Sequence, residues 1–397
     1  MITVEEAEKI ILNESFDFGT EMVPLVKSLG RILAEDLYSD RDLPPFNRAT
    51  VDGIAINIEA YHSGNRNFLI KGTQAAGDNP INVTDKNSCI EIMTGAAVHE
   101  CFNTVIRYED ITIENSCATI NQGEFKPYQN IHLRGKDKLQ GEILVEKNKV
   151  INPAIIGISA SIGKTNLLVR KLPRVLVVST GDELVRIDET PSPYQIRQSN
   201  GLTILATLQK YKIRAHKIHL KDDKKNIELT LKKSFEEYDV ILLTGGVSMG
   251  KYDYIPDVLQ RLKVKKMFHK VKQRPGKPFW FGKKAKNKFV FAFPGNPVSV
   301  FMCLHRYFVP WLRKSMELKE TKEYAILGND FEFPTELQFF AQVELHTNDE
   351  GQTIASYHNT NGSGDFSHLA ETNAFIELPA NQDTFKKGEA FRIWRYN

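Results

Sequence analysis

The chain predicts a multidomain α/β protein. Its parts are a mostly parallel three-layer α/β/α domain, an inserted β-rich domain, a discontinuous helical N-terminal layer and a small C-terminal β-domain. Three observations carry this. From Pro173 onward, apolar runs alternate with helical patterns, as in a parallel sheet covered on both faces. Residues 51 to 140 are short strand-like runs punctuated by Gly, Asn and Asp. Helical spacing opens the chain and returns at 150 to 163, so the β-rich part interrupts it. The boundaries read as 1–41 plus 141–170 for the helical layer, 42–140 for the insert, 171–318 for the α/β domain and 319–397 for the last.

The elements follow in order. Thr3 stands as an N-cap before Val4, Ala7, Ile10 and Ile11, which repeat at helical spacing to Asn13. Leu25 to Glu35 repeats the pattern and predicts a second helix. Pro44 and Pro45 keep the next segment out of helix. Strands are predicted at Gly53–Ile58, Phe68–Lys71, Ser88–Met93, Asn103–Tyr108, Ile111–Ile113 and Ala118–Ile120. In the α/β domain, strands Arg174–Ser179, Ile213–Leu220 and Val240–Leu243 precede helices Asn200–Tyr211, Asn226–Tyr238 and Tyr254–Leu262. Strand Lys266–Val271, the run Lys288–Phe293 and a long helix from Pro297 complete it. Strand patterns resume from 320.

Composition bounds the function. The 397 residues hold 41% apolar and 25% charged side chains with a net charge of +3, too small to argue for nucleic acid or a membrane surface. Four separated cysteines without a CxxC pair speak against structural zinc or a disulfide framework and fit a reducing cytoplasm. No signal peptide or bilayer-spanning run is read.

In parallel sheets, ligands bind beyond the carboxyl ends of the strands. The loops expected there are Thr180–Glu183, Lys221–Asp223, Thr244–Asp253, Gln273–Pro278 and Pro294–Ser299. Gly245 to Lys251 fits GxxxxGK, but Tyr252 stands where a P-loop needs Ser or Thr, so a nucleotide P-loop fails. Gly157 to Thr165 misses the same motif by one spacer. Taken singly, a carboxylate at a strand end is a helix cap or a solvated group. Asp182, Glu183, Asp222, Asp223 and Asp253 on one edge would repel one another unless a cation sits among them, and oxygen-rich sites suit Mg²⁺. Lys270, Lys272, Arg274 and Lys277 supply the opposite sign next door. Arg274 to Pro278 and Pro294 to Ser299 are proline-stiffened turns suited to an oxyanion. Together they read as a site for a phosphorylated ligand. His269 reads as structural.

These motifs in their order resemble the bacterial MoeA family, the molybdopterin molybdenumtransferases, and the E domains of gephyrin and its plant counterpart. The carriers are Ser179-Thr180-Gly181-Asp182-Glu183-Leu184, the turn from Gly245 through Ser248 and Gly250 to Asp253, Arg274-Pro275-Gly276-Lys277-Pro278, and Pro294 to Ser299. Gly30 to Asp36, Asp42 to Phe46, Val51-Asp52-Gly53, Met93 to Ala96, Leu133 to Asp137 and Gly362 to Asp365 agree. The resemblance implies an elongated homodimer with the site between subunits. It implies that molybdate is inserted into adenylylated molybdopterin and AMP released with a divalent cation, here Mg²⁺.

By motif, it implies Asp52, Thr94, Asp137, Glu183, Asp222, Asp253 and Lys270 as catalytic positions, with Glu183, Asp222 and Asp253 holding the metal. It implies Thr180, Gly181, Asp182, Gly245, Gly246, Ser248, Arg274, Lys277, Pro278, Pro294, Asn296, Pro297, Ser299 and Ser363 as substrate-binding. Asp52, Thr94 and Asp137 would reach across the dimer from the insert. The molybdopterin adenylyltransferase and molybdoenzyme maturation factors are implied as candidate partners. Two departures stand out: Arg274 replaces a frequent lysine, and 336–342 lacks the arginines usual there. The rival readings are the adenylyltransferase itself, which would not need residues 1–170 or 320–397, and a non-catalytic molybdopterin-binding scaffold.

Overall fold

A computed structural model describes residues 1–396 except 122, 248–252, 320, 335 and 358–361. The chain forms two compact units. One holds Met1–Ala34, Asn148–Asn152 and Leu167–Asn397, the other Glu35–Lys147 and Pro153–Asn166. Among the described residues, no helix is long and apolar enough to cross a membrane.

The larger unit is built on a six-stranded sheet in the order His216–Leu220, Val175–Thr180, Val240–Thr244, Lys288–Phe293, Trp280–Ala285, Lys265–His269. The first four run parallel, with Thr180 beside Leu220, Ser179 beside Thr244, and Thr244 beside Phe293. Trp280–Ala285 is antiparallel to both its neighbours, so Lys265–His269 again runs with the rest. That hairpin strand is absent from the sequence-based expectation, because Gly282-Lys283-Lys284 breaks its apolar run and reads as a turn.

Alternate residues face opposite layers. Val175, Val177, Val240, Leu242, Phe289 and Phe291 join one core with Ile204, Leu208 and Trp311. Leu176, Val178, Ile241, Leu243 and Val290 join the other with Ile227, Leu231 and Val258. The exits of five strands therefore collect on one edge, held by a core packed on both sides.

The helix Val4–Asn13 is closed by the expected cap: Thr3 and Glu6 exchange bonds in a capping box, and Val4, Ala7 and Ile11 are buried. The helix expected over Leu25–Glu35 does not form. Only the short turn Leu25–Lys27 does, because Gly30 takes a φ of +78° and Ile32 and Leu33 bridge to Val150 and Val169. The helix from Pro297 is interrupted by a π-turn at Leu304–Phe308 before Val309–Ser315. Pro310 has no N–H to give and its ring would meet the preceding turn, which explains the widening. In that π-turn lies Arg306, 1% exposed, paired with Glu8 of the first helix at 2.9 Å and Glu377 at 3.2 Å. Its guanidinium lies 4.3 Å over Trp394.

Beyond residue 320, Gln338–Thr347, Thr353–Tyr357, Glu323–Leu327, Ala390–Arg395 and Ala374–Leu378 pair in a ring closed by the first and last, a small barrel. Gln273–Arg274 adds to its edge, alongside Gln338 and Phe339.

The smaller unit carries a six-stranded sheet in the order Thr104–Arg107, Gly53–Ile56, Ser88–Ile92, Asn67–Gln74, Cys117–Ile120, Ile111–Glu114. All six expected strands are present. The short helix Ile58–His62, capped by Asn57, replaces the end of the first.

Candidate active site

The acidic exits meet as expected, with one division of labour. Thr180 is buried at the end of its strand. Gly181 follows with φ +139°; its carbonyl accepts from His219 Nε2 at 2.9 Å, so the turn is tied to the next strand. The backbone N–H of Asp222 donates to Asp182 Oδ1 at 3.3 Å. Asp223 is a helix cap, its carboxylate accepting from the amides of Lys225 and Asn226. Asp222, its neighbour, faces the cluster. Burial and then the charges of Asp182, Glu183 and Asp253 hold its carboxyl above the usual aspartate range, while the bond with Asp182 pulls the other way. Like charges crowd one another at this strand exit.

Among the described residues, no three His, Cys, Asp or Glu side chains are spaced as a ready chelate. Mg²⁺ characteristically takes one or two carboxylates and completes its shell with water and phosphate. The donor set suits that mode and not a full protein cage.

The glycine turn fits between the exits because it carries no side chains. Gly245 has φ +86°, and a Cβ there would stand 2.7 Å from the Thr180 carbonyl oxygen. Gly246 has φ +66°, and a Cβ there would stand 2.9 Å from Ile255 Cγ1 and 3.0 Å from Thr180 Oγ1. Ser248, Gly250 and Lys251 lie outside the described residues. His269 donates from Nε2 to the Val247 carbonyl at 2.9 Å, and burial pushes its pKa down. A histidine tied to backbone in this way is a support, the role the sequence reading gives it.

The cationic loop starts at Lys270, a non-glycine residue with φ +72° whose N–H donates to the Phe279 carbonyl at 2.9 Å. Gln273, fully buried, donates to the Gly276 carbonyl at 3.0 Å and accepts from the Tyr307 hydroxyl. A Cβ on Gly276 would stand 2.6 Å from Cys303 Sγ, so the loop can lie this close only with glycine there. Arg274 and Lys277 are exposed and Pro278 half-buried, with the Arg274 guanidinium 5.3 Å from the Phe333 ring centre.

The last turn is held from two sides. Asn200 Nδ2 donates to the Gly295 carbonyl at 2.7 Å. Asn296 Nδ2 donates to Ser363 Oγ at 2.7 Å, and Val298 N–H to the Ser363 carbonyl at 3.3 Å. Pro294 and Ser299 are buried, and Pro297 is half-buried at the helix start. Ser363, from the barrel domain, thus joins the sheet edge. Sequence reasoning missed Asn200, Gln273 and Tyr307. An amide beside a helix start or a charged loop resembles a surface residue until its partner is known.

Asp52, Thr94 and Asp137 belong to the smaller unit. Asp52 accepts from the Thr94 hydroxyl at 2.7 Å and amide at 2.6 Å, which hold its carboxyl below the usual range. Asp137 accepts from His132 Nε2 at 2.9 Å, and His132 Nδ1 in turn accepts from Arg48 at 3.3 Å.

Comparison with known families matches residues 2–163 to the MoeA N-terminal region (domain I and II), 176–314 to a probable molybdopterin binding domain, and 324–396 to the MoeA C-terminal region (domain IV). A molybdopterin molybdenumtransferase of Synechocystis is 37% identical, covering 100% of both chains. One of Staphylococcus epidermidis is 32% identical over 98% of this chain and 94% of its own. The crystal structure of a molybdopterin biosynthesis MoeA protein from Pyrococcus horikoshii superposes with a TM-score of 0.85 at 28% identity, covering 100% of both chains. With likeness running the full length in sequence and in fold, the chain belongs to the MoeA family of molybdopterin molybdenumtransferases.

Proposed function

We propose that this protein inserts molybdate into the dithiolene of adenylylated molybdopterin and releases AMP. The observation that supports this best is the meeting of the acidic strand exits, where the Asp222 amide bonds Asp182 and the Asp222 carboxyl lies near Glu183 and Asp253, on the sheet edge that also carries the Arg274–Pro278 loop. One or two carboxylates from the set Glu183, Asp222 and Asp253 would hold Mg²⁺, with water and phosphate completing its shell, and the ion would supply positive charge against the phosphates. The side-chain-free turns at Gly181 and Gly245–Gly246 leave room for backbone to approach a phosphorylated ligand. Arg274 and Lys277 supply positive charge to molybdate, while Asn296 and Ser363 orient it. Electrostatic positioning of this kind needs no covalent nucleophile. Cys303, the cysteine nearest these loops, is buried with its thiol pKa pushed far up.

Under this reading the active assembly is a homodimer, to which Asp52, Thr94 and Asp137 contribute. The molybdopterin adenylyltransferase supplies the substrate and molybdoenzyme maturation factors receive the product, all in the cytoplasm. Full-length likeness to the family supports this.

The test is turnover of adenylylated molybdopterin with molybdate and Mg²⁺, followed by AMP release. Absence of AMP release, with adenylylation of free molybdopterin by ATP instead, would replace the reading with the adenylyltransferase. Lys277→Ala should raise the molybdate concentration for half-maximal AMP release roughly tenfold, the scale of one charged hydrogen bond. Titration of molybdate reads this directly, and an unchanged half-saturation removes Lys277 from the pocket.

A further inference from the structure

The cationic loop 273–278 is braced from within and from behind. The Val271 N–H closes it by donating to the Lys277 carbonyl at 2.9 Å. The Gly276 carbonyl accepts twice, from the Phe279 N–H at 3.2 Å and from Gln273 Nε2 at 3.0 Å. Gln273 Oε1 in turn accepts from the Tyr307 hydroxyl. A carbonyl oxygen accepts and never donates, so the N–H end of the Gln273 amide must face Gly276 and its oxygen must face Tyr307. Turning the amide over would set its oxygen against the Gly276 carbonyl.

Tyr307 holds the same loop a second way. It is 1% exposed, and its ring stacks on Phe279 with centroids 4.9 Å apart. The residue that opens the loop and the one that follows it therefore rest on one side chain. Burial pushes the Tyr307 hydroxyl pKa well above the usual tyrosine range, so the group stays a donor. Tyr307 lies in the π-turn Leu304–Phe308 of the helix that begins at Pro297. Single π-turns within helices are frequent at functional sites.

We propose that Tyr307 is a positioning residue for this reaction: through the Gln273 amide it holds Gly276, and so fixes where the exposed charges of Arg274 and Lys277 stand. This rests on the molybdenumtransferase reading and adds to it a buried residue that acts through another. The hydroxyl brings no charge of its own. It removes freedom from a loop that carries two, and charges already in place leave less ordering to be done when an anion binds.

Tyr307→Phe removes the hydroxyl and keeps the ring on Phe279. In the full chain without ligand, hydrogen exchange at the Val271 and Phe279 amides should speed up by roughly fivefold, while Val240–Thr244 stays protected. The molybdate concentration for half-maximal AMP release should also rise by roughly fivefold, the scale of one neutral hydrogen bond. The rate at saturating molybdate should stay near wild type. Gln273→Met, of similar size but without the amide, should act in the same direction. Adding Tyr307→Phe to it should raise the half-saturation no further, because the two act in series.

Unchanged exchange in Tyr307→Phe overturns the proposal. So does a lower melting temperature with unchanged half-saturation, which would mark Tyr307 as structural. A fall in the saturated rate at unchanged half-saturation, or additive effects of the two substitutions, overturns it as well. Wild type that releases no AMP refutes the reaction instead, and the loop assignment is then decided by exchange alone: faster exchange in Tyr307→Phe keeps it, unchanged exchange removes it.

Discussion

Asp222→Asn should reduce AMP release by roughly two orders of magnitude, the scale of losing one preorganised electrostatic group. The same change should stabilise the fold. The folded chain holds the Asp222 proton more tightly than the unfolded chain, since burial and three carboxylates raise its pKa. Its charge therefore destabilises the fold above the raised value, and the penalty fades as pH falls towards the ordinary aspartate value. Melting curves across pH should show the variant above wild type at neutral pH and the two converging in acid. Added Mg²⁺ should lift the wild type more than the variant. Glu183→Gln should lower AMP release in the same direction. Near-normal AMP release by both variants would sink the carboxylate assignment.

Gly53→Ala should disrupt the smaller unit. Gly53 pairs with Ile92 on one side and Arg107 on the other. A Cβ there would stand 1.8 Å from the Ile106 carbonyl oxygen and 2.9 Å from the Arg107 Cα. Both are backbone atoms of the strand paired with Gly53, so the clash is relieved only if that edge strand shifts and its pairing breaks. The expected loss is about 3 kcal/mol or more, at the upper end of overpacking. Hydrogen exchange should rise in Ser88–Ile92 and Thr104–Arg107 while Val240–Thr244 stays protected. Asp52 should lose its Thr94 contacts, since the strand that places it no longer seats. Unchanged melting and exchange would show that the sheet accommodates the extra carbon.

Local grammar made much of this protein legible. Thr3 with Glu6 announces a helix start because the cap is satisfied within one turn. The runs at Val240–Thr244 and Lys288–Phe293 announce buried strands because both faces must be apolar. Failures came where a distant partner decides. Leu25–Glu35 has helical periodicity, yet its backbone is claimed by Val150 and Val169. Asp222 and Asp223 are adjacent and chemically alike; only the start of the following helix separates a cap from a cluster member. Charges and glycines of the site were visible because their types are informative. The amides that hold it, Asn200 and Gln273, were not, because asparagine and glutamine are ordinary surface residues until their partners are known.

Arg306 limits how this protein can be divided. The α/β domain has the strand order of a self-contained module, and residues 171–318 invite expression alone. Such a fragment would lack both Glu8 and Glu377, and Trp394 with them. A guanidinium now 1% exposed would be left in the apolar helix layer without a counterion. Losing the partners of a buried charge costs about 3–5 kcal/mol, a large share of a domain's total stability. Arg306 therefore works as an interlock: the first helix and the barrel are conditions for the sheet to stay folded. Deletion series meant to map activity onto single domains would measure that interlock first, and a chain shuffled from modules would need Arg306, Glu8 and Glu377 transferred as one set.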